Sequence, residues 1–172
     1  MWIVDVIKSI FSWLFKMLKL WMVQKDQQAN NQTSGNQVKA NDIITLEAYF
    51  MGRRQTNFSE YKPEYADNAT DLLSRVNPFL QELDIVSVKV SSGWRPASIN
   101  ESLSNSAKQS YHMIGKAVDI SDADGKLDAL VQARPDLLKK YGLWLESPAS
   151  TPGWCHLDCG SRLERTSRTF IP

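Results

Sequence analysis

The sequence predicts an α+β domain, in which helices pack on a mostly antiparallel sheet, preceded by an isolated amphipathic helix. Helical patterns come first in the domain, alternating strand-like runs follow them, and the composition changes sharply near residues 23 and 41. We therefore divide the chain into an apolar helix at 1–23, a flexible polar linker at 24–41 and a globular domain at 42–172.

The composition excludes several classes of protein. Hydrophobic residues make up 42% of the 172 residues, which is enough for a packed core. The chain carries 20 Lys and Arg against 19 Asp and Glu, and this balance argues against a nucleic-acid partner. Two cysteines are too few for a disulfide scaffold, so the core must stabilise the fold.

The segment 2–23 has a wide apolar surface. At about 100° per residue its polar side chains fall in one narrow arc, and they are Asp5, Lys8, Ser9, Ser12, Lys16 and Lys19. The lysine stripe and three tryptophans favour a helix in a membrane interface. A spanning helix, a helix docked in an apolar groove of another protein and a cleaved signal peptide are the alternatives. We expect 1–23 to anchor the domain to a membrane surface or a particle protein.

Helices within the domain are predicted from caps and from apolar residues at helical spacing. Thr45 is a candidate N-cap for the first helix, and Pro135 suits the first turn of the last. Pro78 is expected to kink the second helix or restart it. The predicted helices cover 46–53, 67–83, 98–109, 127–133 and 135–141.

Strands are predicted where apolar and polar residues alternate, and they cover 85–92, 116–121, 142–146 and 153–158. The last two are joined by SPASTP and read as an antiparallel hairpin. In the simplest register of that hairpin, Glu146 lies opposite Gly153, with both side chains on one face.

Two histidines and an aspartate stand out in this half of the chain. His112 and Asp119 lie in SYHMIGKAVDIS, and His156 lies in GWCHLD, on predicted strands or at strand edges. These are the chain's two histidines. Two imidazoles and a carboxylate are a common ligand set for a catalytic Zn²⁺, which keeps a fourth position for water.

Three motifs resemble those of the M15 zinc peptidases, the group of D-Ala-D-Ala carboxypeptidases and phage endolysins with the hedgehog/DD-peptidase fold. They are SGWRP at 92–96, SYHMIGKAVDI at 110–120 and WCHLD at 154–158. The motifs occur in the family's order, and the resemblance extends from about Ile43 to the C-terminus. It implies a Zn²⁺ ion held by His112, Asp119 and His156.

The resemblance also implies roles for residues around the metal. Arg95 is expected to bind or polarise the substrate carbonyl or carboxylate, a task that suits a guanidinium fork. Ser110 is expected to support the site by hydrogen bonding. Trp94 and Trp154, which lie within the motifs, are candidate substrate-binding or supporting residues.

The general base is where the sequence departs from better-known members. Those carry an acid three residues before the last histidine or a second histidine two before it, but this chain has Gly153 and Trp154 there. If the hairpin register holds, Glu146 could replace the missing acid. Asp158, which shares a face with His156, is the alternative as a base or as a residue that orients the histidine. A third alternative is that no dedicated base exists.

These observations predict a zinc-dependent peptidase that hydrolyses peptidoglycan peptide bonds, as a phage or bacterial wall-lytic protein. We expect it to be membrane- or virion-associated and to act in the periplasm or cell wall. One alternative is a non-catalytic zinc-bearing module that binds wall peptides or a partner, such as a virion component. Another is that the N-terminal helix perturbs membranes or oligomerises and the domain is its passenger.

Overall fold

The computed structural model describes residues 42–104, 106–163 and 167–172, and within these ranges the chain has the predicted α+β class. The helices are α1 (Leu46–Phe50), α2 (Arg53–Thr56), α3 (Pro63–Glu82), α4 (Ala97–Ser102), a 3₁₀ helix (Tyr111–Ile114), α5 (Lys126–Gln132) and α6 (Pro135–Lys140). The strands are β1 (Val90–Ser92), β2 (Ala117–Asp122), β3 (Trp144–Glu146), β4 (Gly153–Asp158) and β5 (Thr169–Phe170).

The strands of these ranges form one sheet in the order β1-β2-β4-β3-β5. Strands β1 and β2, β2 and β4, and β3 and β4 pair antiparallel, whereas β3 and β5 pair parallel. The sheet is therefore mixed, with three antiparallel pairings and one parallel pairing, where the sequence predicted a mostly antiparallel sheet. Strand β5 lies on the other side of β3 from β4 and runs in the same direction as β3.

Helix α3 begins earlier than predicted and continues through Pro78. It begins at Pro63, because proline suits the first helical turn, where its missing N–H has no partner to lose. Pro78 lies inside the helix and does not restart it. Buried residues continue past this proline, with Phe79 and Leu80 both fully buried, so packing stabilises the helix across the break in its hydrogen bonds.

Strand β1 is shorter than its alternating pattern predicts. It covers Val90–Ser92 at the edge of the sheet and pairs with β2 through an irregular register. Val86, near the start of the predicted strand, is 88% exposed. At this sheet edge the apolar and polar residues therefore alternate over a longer stretch than the one that pairs with the neighbouring strand.

Alternation along β2 and β4 separates the core from the candidate site. Val118 and Ile120 of β2 belong to the hydrophobic core, as do Cys155 and Leu157 of β4. Successive side chains of a strand point to opposite faces, so Asp119 lies on the face of β2 that is turned away from this core. The core also contains the buried side chains of α3, which thus back the sheet on the face opposite the site.

Two predictions for the N-terminal part of the chain lie outside the described residues, namely the amphipathic helix at 1–23 and the linker at 24–41. Across the described ranges, the structure contains no helix long and apolar enough to cross a membrane.

Candidate functional site

The three predicted metal ligands converge. His112 lies in the 3₁₀ helix, Asp119 on β2 and His156 on β4, and one donor atom of each lies within 4.8 Å of the others. All three residues are buried. His112 was predicted on a strand or strand edge and this is wrong, because Ser110 caps a helical turn instead and accepts the His112 backbone N–H at 3.3 Å.

The donor atoms form a small triangle. His112 Nε2 lies 3.2 Å from His156 Nδ1 and 3.1 Å from Asp119 Oδ1, and the latter two atoms lie 2.7 Å apart. Ligands of one tetrahedral ion with bonds of about 2.0–2.1 Å stand about 3.3 Å from one another. The residues present therefore fit a shared metal ion, and they leave one corner of a tetrahedron for another ligand.

Gly93 sets the orientation of the His112 ring. The His112 Nδ1 atom lies 2.8 Å from the Gly93 carbonyl oxygen, so Nδ1 donates its proton there and the Nε2 lone pair faces the triangle. The close approach of two backbone segments requires a glycine at this position. A Cβ atom on Gly93 would lie 1.9 Å from the carbonyl oxygen of Tyr49.

The other edge of the His156 ring faces two carboxylates. Its Nε2 atom lies 3.4 Å from Asp158 Oδ2 and 3.9 Å from Glu146 Oε2. Asp158 is fully buried and also accepts the Gly160 N–H at 2.9 Å and both terminal N–H groups of Arg162. Within the described ranges, the Glu146 carboxylate has no hydrogen-bond partner, and it is half-buried.

The register that brings Glu146 here differs from the predicted one. Leu145 pairs with Leu157, so Glu146 stands beside His156, and the prediction that it lies opposite Gly153 is wrong. The cause is the connection at 147–152, which folds into consecutive turns. The first residues of β4 therefore extend past the end of β3 and have no partner on that strand. The carboxylate nevertheless reaches the face of the sheet that carries the histidine.

One residue from each strand forms a line across the sheet, which we call the transverse row. Its members, in the order of the strands, are Ser92, Asp119, His156, Glu146 and Phe170. Residues in register on neighbouring strands carry their side chains on the same face. The row therefore collects two of the candidate ligands and the candidate base on one face of the sheet.

Arg95 adjoins the triangle. Its Nη2 atom donates to Asp119 Oδ2 at 3.2 Å and its Nη1 atom to Asn100 Oδ1 at 3.4 Å, while its backbone N–H donates to the His112 carbonyl oxygen at 3.1 Å. The side chain is 12% exposed. A guanidinium has five N–H groups, so these bonds hold its orientation and leave other donors beside the site.

The two tryptophans of the motifs have different surroundings. Trp94 is fully buried, donates its indole N–H to the Met113 carbonyl oxygen at 3.1 Å, and packs against aromatic rings; these belong to Phe50, Tyr61 and Tyr65. Of the two roles predicted for Trp94, substrate binding or support, its full burial favours support of the motif. Trp154 is partly exposed on the His156 face of β4.

The surroundings of Asp119 favour the ionised form of its carboxylate. Burial alone would raise the pKa of Asp119, but its contacts with His112 and His156 outweigh burial and lower that pKa far below its usual range. Burial lowers the pKa of His112. Burial acts on His156 in the same direction, but hydrogen bonds with Asp119 and Asp158 outweigh it and raise its pKa to about 9.

The pKa of Glu146 is raised, which is the direction that suits a proton acceptor. Burial is the largest cause of its raised pKa, and the negative charges of Asp119 and Asp158 add to it against the opposing effect of His156. A catalytic base works best when its pKa lies nearer the working pH than that of an exposed carboxylate.

Sequence reasoning did not find Arg162 or Phe170. Arg162 binds Asp158, and its guanidinium carbon lies 3.7 Å from the centre of the Phe170 ring. The Phe170 ring centre lies 6.1 Å from that of His156. Both follow the last motif, in a stretch without alternation, so no local signal in the sequence indicates them.

Two imidazoles and a carboxylate that converge on the face of the sheet opposite the hydrophobic core define a candidate metal centre. The sequence model of the family described as Peptidase M15 matches residues 45–149, and the chain belongs to this family of peptidases. The match includes His112, Asp119 and Glu146 but ends before β4, so for His156 the geometry supports the motif at 154–158 without help from this match. Comparison with curated proteins and with solved structures gives no match.

Proposed function

We propose that this chain is a zinc-dependent peptidase that hydrolyses peptide bonds of bacterial peptidoglycan. The convergence of His112, Asp119 and His156 in a member of the M15 peptidase family carries the proposal. The motifs resemble those of peptidases that act on peptidoglycan stem or cross-link peptides, and this resemblance supports the substrate class.

The donor set supports zinc among the metals. Zn²⁺ prefers nitrogen and oxygen ligands in tetrahedral geometry, and catalytic sites often combine two histidines with a carboxylate. His112 Nε2, His156 Nδ1 and Asp119 Oδ1 would hold the ion. When bound, zinc polarises the scissile carbonyl and lowers the pKa of its water toward about 7.

Glu146 is the better candidate for the general base. The Asp158 oxygens already accept hydrogen bonds from Gly160 and Arg162, and Asp158 is fully buried, so a water molecule has no route to them. The Glu146 carboxylate has no such partner within the described residues and is half-buried. We infer that Glu146 Oε2 accepts the proton of the attacking water and passes it to the leaving amine.

Arg95 is positioned for the substrate carbonyl or a nearby carboxylate. Its bonds to Asp119 and Asn100 hold the guanidinium at the edge of the triangle. A rigid, always charged donor there stabilises negative charge that develops on the carbonyl oxygen during hydrolysis. Ser110, through the backbone N–H of His112, supports the turn that presents the imidazole.

The location of action follows from the substrate class. We propose that the protein acts at the cell wall or in the periplasm, with 1–23 attached to a membrane surface or to a virion protein and 24–41 as the linker. The apolar surface and lysine stripe of the sequence 2–23 support the attachment.

Mass spectrometry of peptidoglycan fragments tests the proposal. We expect the full-length protein to release peptide products, to lose this activity when a chelator removes the metal, and to regain it with Zn²⁺. His112→Ala should be inactive, whereas Asp124→Ala, which changes an exposed acid on the turn after β2, should retain activity.

Two outcomes would contradict the proposal in different ways. A wild-type protein that binds no zinc would refute the metal centre. A zinc-loaded wild-type protein that binds wall fragments without releasing products would instead support the non-catalytic binding module.

A further inference from the structure

Asp158 is a fully buried carboxylate on the same face of β4 as His156, and Arg162 neutralises it. Arg162 Nη2 donates to Asp158 Oδ2 at 2.8 Å, and its Nη1 donates to Oδ1. A buried charge without a partner would strongly destabilise the fold. This forked pair satisfies the charge and also fixes the plane of the carboxylate.

That carboxylate faces the candidate ligand. Asp158 Oδ2 lies 3.4 Å from His156 Nε2, at the ring edge opposite the Nδ1 atom in the donor triangle. When an imidazole donates its Nε2 proton to a carboxylate, the lone pair is on Nδ1, where a metal binds it. The orientation of Asp158 thereby sets which nitrogen of His156 is free for a metal.

Aromatic side chains hold the guanidinium in place. The Arg162 guanidinium carbon lies 3.7 Å from the ring centre of Phe170 and 5.2 and 5.7 Å from those of Tyr111 and Trp144. These rings come from β5, the 3₁₀ helix and β3, respectively. Cation–π contacts of this kind are strongest when the guanidinium is partly desolvated, and the Arg162 side chain is 22% exposed.

We propose that Arg162 is a positioning residue for the metal centre, which acts through Asp158 on His156. Its forked bond orients the Asp158 carboxylate, and this carboxylate holds the His156 ring with Nδ1 toward the metal. The inference rests on the proposed function, since it requires His156 Nδ1 to be a zinc ligand.

Zinc affinity measured by chelator competition tests the inference on the full-length protein, with Zn²⁺ alone as the probe. Partners that orient a metal-bound histidine typically change affinity by about 10–100-fold. We expect Arg162→Ala to weaken zinc binding by this amount. Arg162→Lys keeps the charge but loses the fork, so its zinc affinity should lie between those of Arg162→Ala and the wild type. If Arg162→Ala does not fold, Arg162→Lys takes its place in the test.

A double-mutant cycle separates positioning from general stabilisation. If Arg162 acts through Asp158, Arg162→Ala combined with Asp158→Asn should bind zinc no more weakly than Asp158→Asn alone. Arg134→Ala is the matched control, because Arg134 also makes a forked pair, through Nε and Nη2 with Asp136, but on the surface of the domain. It should leave zinc affinity unchanged.

The outcomes distinguish this inference from the proposed function. Equal zinc affinity of the wild type and a folded Arg162 variant would overturn the inference alone, as would additive losses in the cycle. Failure of the wild type to bind zinc would overturn both.

Discussion

Asp119 and His156 stand directly opposite each other on β2 and β4, and the carboxylate oxygen Oδ1 lies 2.7 Å from the imidazole Nδ1. Their pairing is part of the longest ladder of the sheet, so backbone hydrogen bonds on both sides maintain it. The distance between two candidate ligands is thus set by strand register and does not depend on a flexible loop.

Glu146→Gln should abolish hydrolysis while zinc remains bound. The amide keeps the size of the side chain but cannot accept the proton of the attacking water. We expect turnover of wall fragments to fall by about 10²–10⁴-fold, measured as product release with zinc content determined in parallel.

Two further variants, Asp158→Asn and Glu47→Gln, are compared with Glu146→Gln in the same assays of turnover and zinc content. Asp158→Asn should reduce zinc affinity, because Asp158 orients His156, whereas Glu47→Gln changes an exposed residue of α1 and should be silent. A fully active, zinc-loaded Glu146→Gln protein would exclude Glu146 as the base.

Arg95→Lys should impair catalysis more than it impairs folding. Lysine keeps the positive charge but cannot donate to Asp119 and Asn100 at once, so the donor beside the substrate carbonyl loses its orientation. We expect kcat/KM to fall by about 10²-fold. Arg75→Lys, at a surface pair with Asp71, is the control, and equal activity of the two variants would remove Arg95 from the site.

Gly93→Ala should disturb the fold and the metal centre together. The new Cβ would meet the Tyr49 carbonyl oxygen and displace the Gly93 carbonyl that orients His112. We expect a loss of about 1–3 kcal/mol in the free energy of unfolding and weaker zinc binding, from urea titration and chelator competition.

Gly125→Ala separates steric conflict from backbone strain. Gly125 has a φ of 69°, but no atom lies within 4 Å of a Cβ placed there. This variant should lose stability through its left-handed backbone alone and should bind zinc normally. If Gly93→Ala behaves in the same way, the close contact with Tyr49 has no influence on the metal centre.

Asp128→Asn should stabilise the domain at neutral pH. Asp128 is 5% exposed, and its Oδ1 atom has no hydrogen-bond partner in the described part of the chain; burial raises its pKa. A carboxyl group with a raised pKa in the folded state opposes folding above that pKa, by about 1.4 kcal/mol per unit. The gain of the variant should shrink as the pH falls through the raised pKa and vanish below the unfolded value near 3.9.

Urea unfolding of the wild type and the variant at pH 7 and pH 3 measures this difference. Asp136→Asn is the opposite case, because a hydrogen bond with Arg134 lowers the pKa of Asp136, so removal of its charge should give no stabilisation. A gain for Asp128→Asn that is the same at both pH values would show that ionisation is not its cause.

Two inner strands of the sheet, β2 and β4, were well predicted from sequence. In β4 the prediction and the structure agree on Gly153–Asp158, and β2 begins and ends within one residue of its predicted bounds. Both strands have neighbours on two sides, so each position is either in the core or in the site, and the side-chain pattern records this environment.

Register and the short edge strand could not be predicted in this way. The alternation of β3 is compatible with several alignments against β4, and the turns at 147–152 decide among them. Strand β5 has two residues, too few for a period, and it forms because β3 offers it a free edge. Arg162 and Phe170 were missed for the same reason, since their contacts depend on where the chain returns after β4.

The transverse row makes this site sensitive to the number of residues in each strand, which point substitutions do not change. Each strand contributes a single member, so an extra or missing residue within β2 or β4 would turn Asp119 or His156 from the face that carries the site to the face that carries the hydrophobic core. Insertions or deletions in these two strands should therefore abolish metal binding and folding together. The connection at 147–152 contributes no member of the row, so its length should be able to vary.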